Sequence, residues 1–245
     1  MDVDTNQPLG TPTWIELAVP DLDAGLEFYR AVFGWESRSD PQEYGGYTNF
    51  LLRDRPVAGI LRTADAQPSA WTVSLATPDV DETVLRARQA GGTVLVEPVD
   101  VLAQGRTAQL RDPVGARFAL WQGRDHVGCQ VVNEPGSLVR NDLVTPTPGP
   151  AREFYAAIFD FTVDRNEDMP DIDFTSCAVP TGTRWAASWA RPEPRRRPGT
   201  PPSRSPAPTT WSSGRSTREA AARVWRSSAT AASPPSRIRS ARSSR

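Results

Sequence analysis

The chain predicts a mixed α+β fold of paired βαβββ units, and three observations carry that prediction. Strand-like and helix-like segments follow one another in a fixed order, that order recurs, and one helical motif returns at a constant offset. The recurrence breaks off in its third copy. The expected layout is therefore a first domain of two units over residues 11–123, a linker at 124–140, a truncated second domain at 141–183 and a disordered Arg/Pro/Ser-rich tail at 184–245.

The first unit begins with Trp14 to Val19, which reads as a strand, and Pro20 and Asp21 end it. Leu22, Leu26, Tyr29 and Phe33 then fall at helical spacing, with Asp21 or Asp23 as the N-cap and Gly34 as the stop. Tyr47 to Leu52 and Val57 to Leu61 read as strands. In the second unit Trp71 to Ala76 is a strand, Pro78 and Asp79 punctuate, and Val80 to Ala90 is a helix stopped by Gly91 and Gly92. Strands follow at Thr93–Val96, Thr107–Leu110 and Arg117–Trp121. The third copy opens with a strand at Asn141 to Thr145. Its helix repeats Glu27-Phe28-Tyr29 and Phe33 as Glu153-Phe154-Tyr155 and Phe159, an offset of 126 residues. Such self-similarity outweighs single propensities, because each unit buries its apolar face against another copy.

A net charge of −1 conceals two unlike parts. Residues 1–183 carry 14 Arg against 27 acidic residues, and residues 184–245 carry 14 Arg against 2. The tail has nine Pro and thirteen Ser but no Leu, Phe or Tyr, too little apolar surface to offset its chain entropy. All 28 basic residues of the chain are Arg, which points to a G/C-rich gene. With permitted G/C-rich codons, Arg184 to Pro192 read after skipping two nucleotides spell VGGILGAP, close to Val57 to Leu61. Arg237 to Arg245 in the same frame spell DPFGAEFS, close to Asp112 to Ala119, again at an offset of 126. Ala207 to Ser212 permit ADDVV, close to Pro78 to Asp81. The expectation is a frameshift near Thr181 to Arg184 that hides a fourth unit; the plainer alternative is a genuine basic tail.

Asp21-Leu22-Asp23 with Phe28-Tyr29, Ala90-Gly91-Gly92-Thr93-Val94, and Asp112-Pro113 with Gly115 and Phe118 together resemble the vicinal oxygen chelate superfamily of glyoxalase I, bleomycin-resistance proteins and extradiol dioxygenases. Asn133-Glu134-Pro135-Gly136 followed by Asn141-Asp142-Leu143 is similar to an actinobacterial, antigen-like branch. The resemblance covers roughly residues 11–182 and implies a sheet curled around a cleft that holds the active site. It also implies ligands for a divalent metal at positions that here hold Trp14, Thr72, Ala119 and Arg140, none of them a good ligand. No cofactor is therefore expected.

Alternation puts Glu16 on the same strand face as Trp14, which makes Glu16 the candidate general base. The plainer reading is a carboxylate paired with an arginine or capping a strand end. Trp14, Tyr47 and Trp71 are candidates to stack on a planar ligand, or are core aromatics. Thr72 and Ser74 are candidate hydrogen-bond donors, Arg106 a candidate anion contact or a solvated loop arginine, and Asp142 the third-unit counterpart of Glu16. His126, the only histidine, falls in the linker and is a poor candidate ligand; Cys129 and Cys177 read as structural and suit a reducing cytosol. Met1 to Gly10 lack the apolar core of a signal peptide, and no run is long enough to span a bilayer, so a cytoplasmic location is expected. Three functions compete: a metal-free lyase, isomerase or hydrolase-type enzyme resting on Glu16; a protein that sequesters a small molecule; and non-specific nucleic-acid binding by the Arg-rich tail, if that tail is real. A homodimer and a non-functional frameshifted product are further expectations.

Overall fold

In the computed structural model, residues 1–40, 47–63, 69–165, 173–178, 184–190 and 210–213 are described. Unit one comprises β1 (Pro12–Val19), α1 (Leu22–Phe33), β2 (Glu36–Ser39), β3 (Thr48–Leu52) and β4 (Arg55–Arg62). Unit two comprises β5 (Ala70–Ala76), α2 (Val80–Gln89), β6 (Thr93–Val101), β7 (Gly105–Arg111) and β8 (Arg117–Gly123). Together they form one eight-stranded sheet in the order β2-β3-β4-β1-β5-β8-β7-β6. Each unit folds in the same way: β1 runs parallel to β4, as β5 does to β8. The two units meet where β1 and β5 run antiparallel.

The turn chemistry of α1 is as expected, and α2 starts in the same way but ends one residue ahead of the expected glycines, at the cap residue Ala90. The Asp21 carboxylate accepts from the Ala24 amide at 3.0 Å, and the Asp79 carboxylate accepts from the Glu82 amide at 3.0 Å, so the cap of α1 is Asp21. Gly34 closes α1 at a φ of 69°, where a Cβ would be strained. No sequence signal marks β2: Glu36 to Ser39 are all exposed, so this edge strand has no apolar alternation to read.

One face of the sheet carries the core. Ile15, Leu17, Ile60, Phe50, Val73, Leu75, Leu110, Phe118 and Leu120 are buried beneath the helices, together with Val80, Val84 and Ala87 of α2. Burying one such side chain contributes about 1.5–3 kcal/mol. Residues 124–140 are no loose spacer. Cys129, Val131 and Leu138 are buried, the Cys129 amide donates to the Thr13 carbonyl at 2.7 Å, and the Gln130 amide donates to Pro56 at 2.7 Å. The segment is a strap across the start of β1 and β4.

The third unit comprises β9 (Asn141–Val144), α3 (Pro148–Phe159), β10 (Thr162–Arg165), β11 (Asp173–Ala178) and β12 (Arg184–Ala190), and β13 (Thr210–Ser213) follows. They form a second sheet in the order β10-β11-β12-β9-β13. The expectation for 184–245 is thus amended at two short strands, β12 and β13; the rest of that segment lies outside the described residues. Backbone pairing explains the amendment, since β9 offers two open edges and β12 and β13 fill them without needing a core of their own. The apolar face of α3 is covered as well. Ala151, Phe154, Tyr155, Ile158 and Phe159 are buried, because α3 packs on α2 and on Phe118 of the first sheet.

Candidate functional site

The site lies on the sheet face opposite the helices, at the seam between the two units. Alternation along β1 brings Trp14 and Glu16 to this face. Cross-strand pairing then sets their neighbours. Glu16 lies between Gly59 of β4 and Thr72 of β5, Trp14 pairs with Ser74, and Ser74 pairs with Ala119 of β8.

Tyr47, just ahead of β3, crosses this face and ties it together. Its hydroxyl accepts from Trp14 Nε1 at 2.8 Å and donates to Glu16 Oε2 at 3.3 Å. The phenol passes so close above Gly59 that a Cβ there would sit 1.8 Å from the hydroxyl oxygen. Gly59 is therefore required by Tyr47, not by its own backbone conformation. Burial pushes the Glu16 carboxyl above its ordinary range, and the Tyr47 hydrogen bond offsets only part of that rise. Burial, and next the adjacent Glu16 charge, push the Tyr47 hydroxyl well above the usual phenol range.

His126 of the strap closes one end of the cluster. Its ring meets Trp14 edge-on at 4.4 Å between centroids and Trp121 at 5.6 Å, and the Trp121 indole donates to the His126 carbonyl at 2.8 Å. Burial lowers the imidazole to about 4, so the ring is neutral at physiological pH. In the sequence His126 is a linker residue, and no motif places it against Trp14, because only the strap's path does so.

The candidates divide by face. Glu16, Tyr47 and Thr72 are together and half-buried, within reach of a ligand. Trp14 and Ser74 are also there but buried at 4% and 5% exposure, so they form the floor. Trp71 is on the opposite face: it pairs with Leu17, and its indole donates to Tyr29 of α1 at 3.1 Å. The alternation of β5 itself separates Trp71 from Thr72 and Ser74, and that signal was available in the sequence. Arg106 lies on β7, not in a loop, and pairs with Gln122 on the far side of the sheet from Glu16. Its guanidinium is held by Asp81 of α2 at 2.9 and 3.0 Å and by Asp100 at 3.3 Å. Asp142 belongs to the second sheet and pairs with Arg140 at 2.6 Å, the plainer of the two readings for a carboxylate. Cys129 donates to the Val57 carbonyl at 3.1 Å; burial pushes its thiol to about 12 and that of Cys177 to about 11, so neither is an activated nucleophile.

Residues 11–120 match the family model of the Glyoxalase/Bleomycin resistance protein/Dioxygenase superfamily. They form a domain of that superfamily. Among curated relatives, the chain is 39% identical over 165 residues to the anthracycline biosynthesis protein DnrV of Streptomyces peucetius, an overlap of 60% of each chain. It is 35% identical over 159 residues to CFP32 of Mycobacterium tuberculosis, provisionally named a glyoxylase, covering 62% of this chain and 61% of that one. The chain thus spans about 60% of the length of the curated relatives it matches. In fold it is similar to the Mn(II)-bound glyoxalase of Novosphingobium aromaticivorans, with a TM-score of 0.55 at 19% identity over 76% of this chain and 64% of that one. The 2,3-dioxygenase LapB of Pseudomonas sp. KL28 gives 0.53 at 17%, over 76% and 72%.

The donor set of this glyoxalase-superfamily domain does not fit a divalent metal. The positions implied for ligands hold an indole committed to Tyr47, the hydroxyl of Thr72 and the methyl of Ala119, with the carboxylate of Glu16 beside them. Among the described residues, no three of His, Cys, Asp and Glu come together. One carboxylate and a hydroxyl fall short of the four to eight donors that zinc or calcium takes. Among the described residues, no helix is long and apolar enough to cross a membrane.

Proposed function

We propose that the superfamily domain binds a small, planar, oxygen-bearing molecule against Glu16, Tyr47 and Thr72, and that Glu16 moves a proton on it without a metal. The bridge of Tyr47 between Trp14 and Glu16 is the observation that supports this reading. A carboxylate raised by burial holds a proton more readily than a solvated one, which is what a general base near neutral pH needs. Tyr47 fixes one carboxylate oxygen and leaves the other to the ligand. The half-buried Thr72 hydroxyl, paired across from Glu16, is placed to orient a substrate oxygen. The reaction class is proton abstraction or transfer, as in an isomerase or lyase. The similarity to DnrV, an anthracycline biosynthesis protein, favours an anthracycline-like ligand.

A hydroxyanthraquinone and a set of keto acids serve as probes. Binding is read by tyrosine and tryptophan fluorescence with and without EDTA, and proton exchange from solvent deuterium by NMR. The proposal expects binding that EDTA leaves intact and exchange that Glu16→Gln abolishes while binding persists. Exchange unaffected by Glu16→Gln, or restored only by added Mn(II), rejects it. Tight binding with no exchange in either protein favours sequestration instead.

A further inference from the structure

Two arginines of unit two share the sheet face of Glu16 and meet no carboxylate among the described residues. Arg111 at the end of β7 and Arg117 at the start of β8 stand directly opposite each other in an antiparallel pair. Strand alternation puts them with Gln109 and Ala119 on the side away from the helices, since the adjoining Leu110 and Phe118 are buried in the core. Both arginines are exposed, and their sheet neighbours Thr93, Gln109 and Ala119 are uncharged. Residues 1–183 hold 27 acidic residues against 14 Arg, so carboxylates are plentiful. Arg106, on the opposite face of the same strand, is held by both Asp81 and Asp100. Like charges directly across a strand pair oppose folding. Such a pair, left without a carboxylate on the face that carries Glu16, is the arrangement of an anion site.

The strand register relates this pair to the site. Ser74 pairs with Ala119 in parallel strands, so Arg117, two residues before Ala119, is level with Thr72, two residues before Ser74. Thr72 pairs in turn with Glu16. Arg117 therefore lies two strands from Glu16, about 10 Å across the sheet. A ligand of two or three fused rings bridges that distance.

We infer that Arg111 and Arg117 form an anion clamp, and that the ligand of this site is a planar molecule bearing an acidic oxygen group, a carboxylate or a phosphate ester, at the end away from Glu16. The inference rests on the proposal that Glu16, Tyr47 and Thr72 hold the ligand; it adds the ligand's charge and its direction across the sheet. Two guanidinium forks offer N–H donors to the oxygens of one anion, and such charge-assisted bonds are about twice as strong as neutral ones. The clamp is exposed, so salt weakens it.

Anthraquinone-2-carboxylate and anthraquinone-2-carboxamide differ in charge and little in shape. Their binding to the full chain is followed by tryptophan fluorescence at low and high salt. Arg111→Gln, Arg117→Gln and the double variant are compared with Arg30→Gln, which removes the same charge from the exposed side of α1. The inference expects the carboxylate to bind about tenfold or more tighter than the amide at low salt. The double variant loses that preference and Arg30→Gln keeps it. Neither clamp substitution lowers the melting temperature, because each relieves a like-charge contact. Displacement of the carboxylate probe by millimolar inorganic phosphate assigns the group to a phosphate ester, and its failure assigns a carboxylate. Equal affinity for acid and amide overturns the clamp. So does a loss shared by Arg30→Gln, equal weakening of both probes in the clamp variants, or binding of neither probe. Acid preference with no proton exchange on any ligand keeps the clamp and rejects the Glu16 chemistry; exchange without acid preference does the reverse.

Discussion

Tyr155 donates a 3.0 Å hydrogen bond to Oδ2 of Asp112 and so joins the third unit to the turn that closes the second. The other oxygen of Asp112 accepts from the amides of Val114 at 3.0 Å and Ala116 at 2.7 Å, and Gly115 takes a φ of 98°. Burial raises the Asp112 carboxyl, with these hydrogen bonds opposing the rise. In the first unit, the repeat counterpart Tyr29 instead accepts from Trp71. Tyr155→Phe leaves a buried carboxylate oxygen without its partner and costs about 1–3 kcal/mol in urea unfolding. A cost below a few tenths of a kcal/mol would show that the contact does not hold the two sheets together.

Gly59→Ala is destabilising, because its Cβ and the Tyr47 hydroxyl cannot both occupy their places. Tyr47 must leave, Glu16 loses its donor, and the expected loss is about 1–3 kcal/mol, together with the ligand affinity proposed above. Combining it with Tyr47→Phe tests the link: the double variant should lose less than the sum of the two single losses.

Glu16→Gln should stabilise the fold while abolishing proton transfer. The folded-state carboxyl is raised above its unfolded value, so ionisation opposes folding at high pH and the opposition vanishes as pH falls through the unfolded value near 4.5. The variant's advantage in melting temperature should be present at pH 8 and gone near pH 4. An advantage independent of pH would mean that repacking, not charge, is its source.

His126 has the opposite sign. Its folded value of about 4 lies below the unfolded value of 6.5, so the unfolded chain binds the extra proton and stability is lost as pH falls between those values. The loss is up to about 3 kcal/mol by linkage, which His126→Phe should remove from the acid limb of a stability–pH profile. An unchanged limb would assign the acid loss to other groups.

Cys129 and Cys177 are buried, with thiols pushed to about 12 and 11, so neither should react with iodoacetamide in the folded protein at pH 8. Labelling should follow global unfolding by urea. Rapid labelling of Cys129 without denaturant would show that the strap opens.

The repeat, the aspartate cap of α1 to within Asp21 or Asp23, and its glycine stop were legible in the sequence, because caps and helical periodicity are local and depend on residues three or four apart. So was the face shared by Trp14 and Glu16, which needs only the period of a strand. The position of Trp71 was legible too, had the same alternation been followed along β5. The pairing of Tyr47 with Glu16 across 31 residues was not, because it depends on the register of three strands and on the empty space above Gly59. Nor was the burial of His126, which only the path of the strap decides. The sequence by itself determined the unit and its repetition. The tertiary structure alone decided which copies cover each other, burying Phe154 and leaving Phe28 exposed, since the same motif is core or surface according to what packs against it.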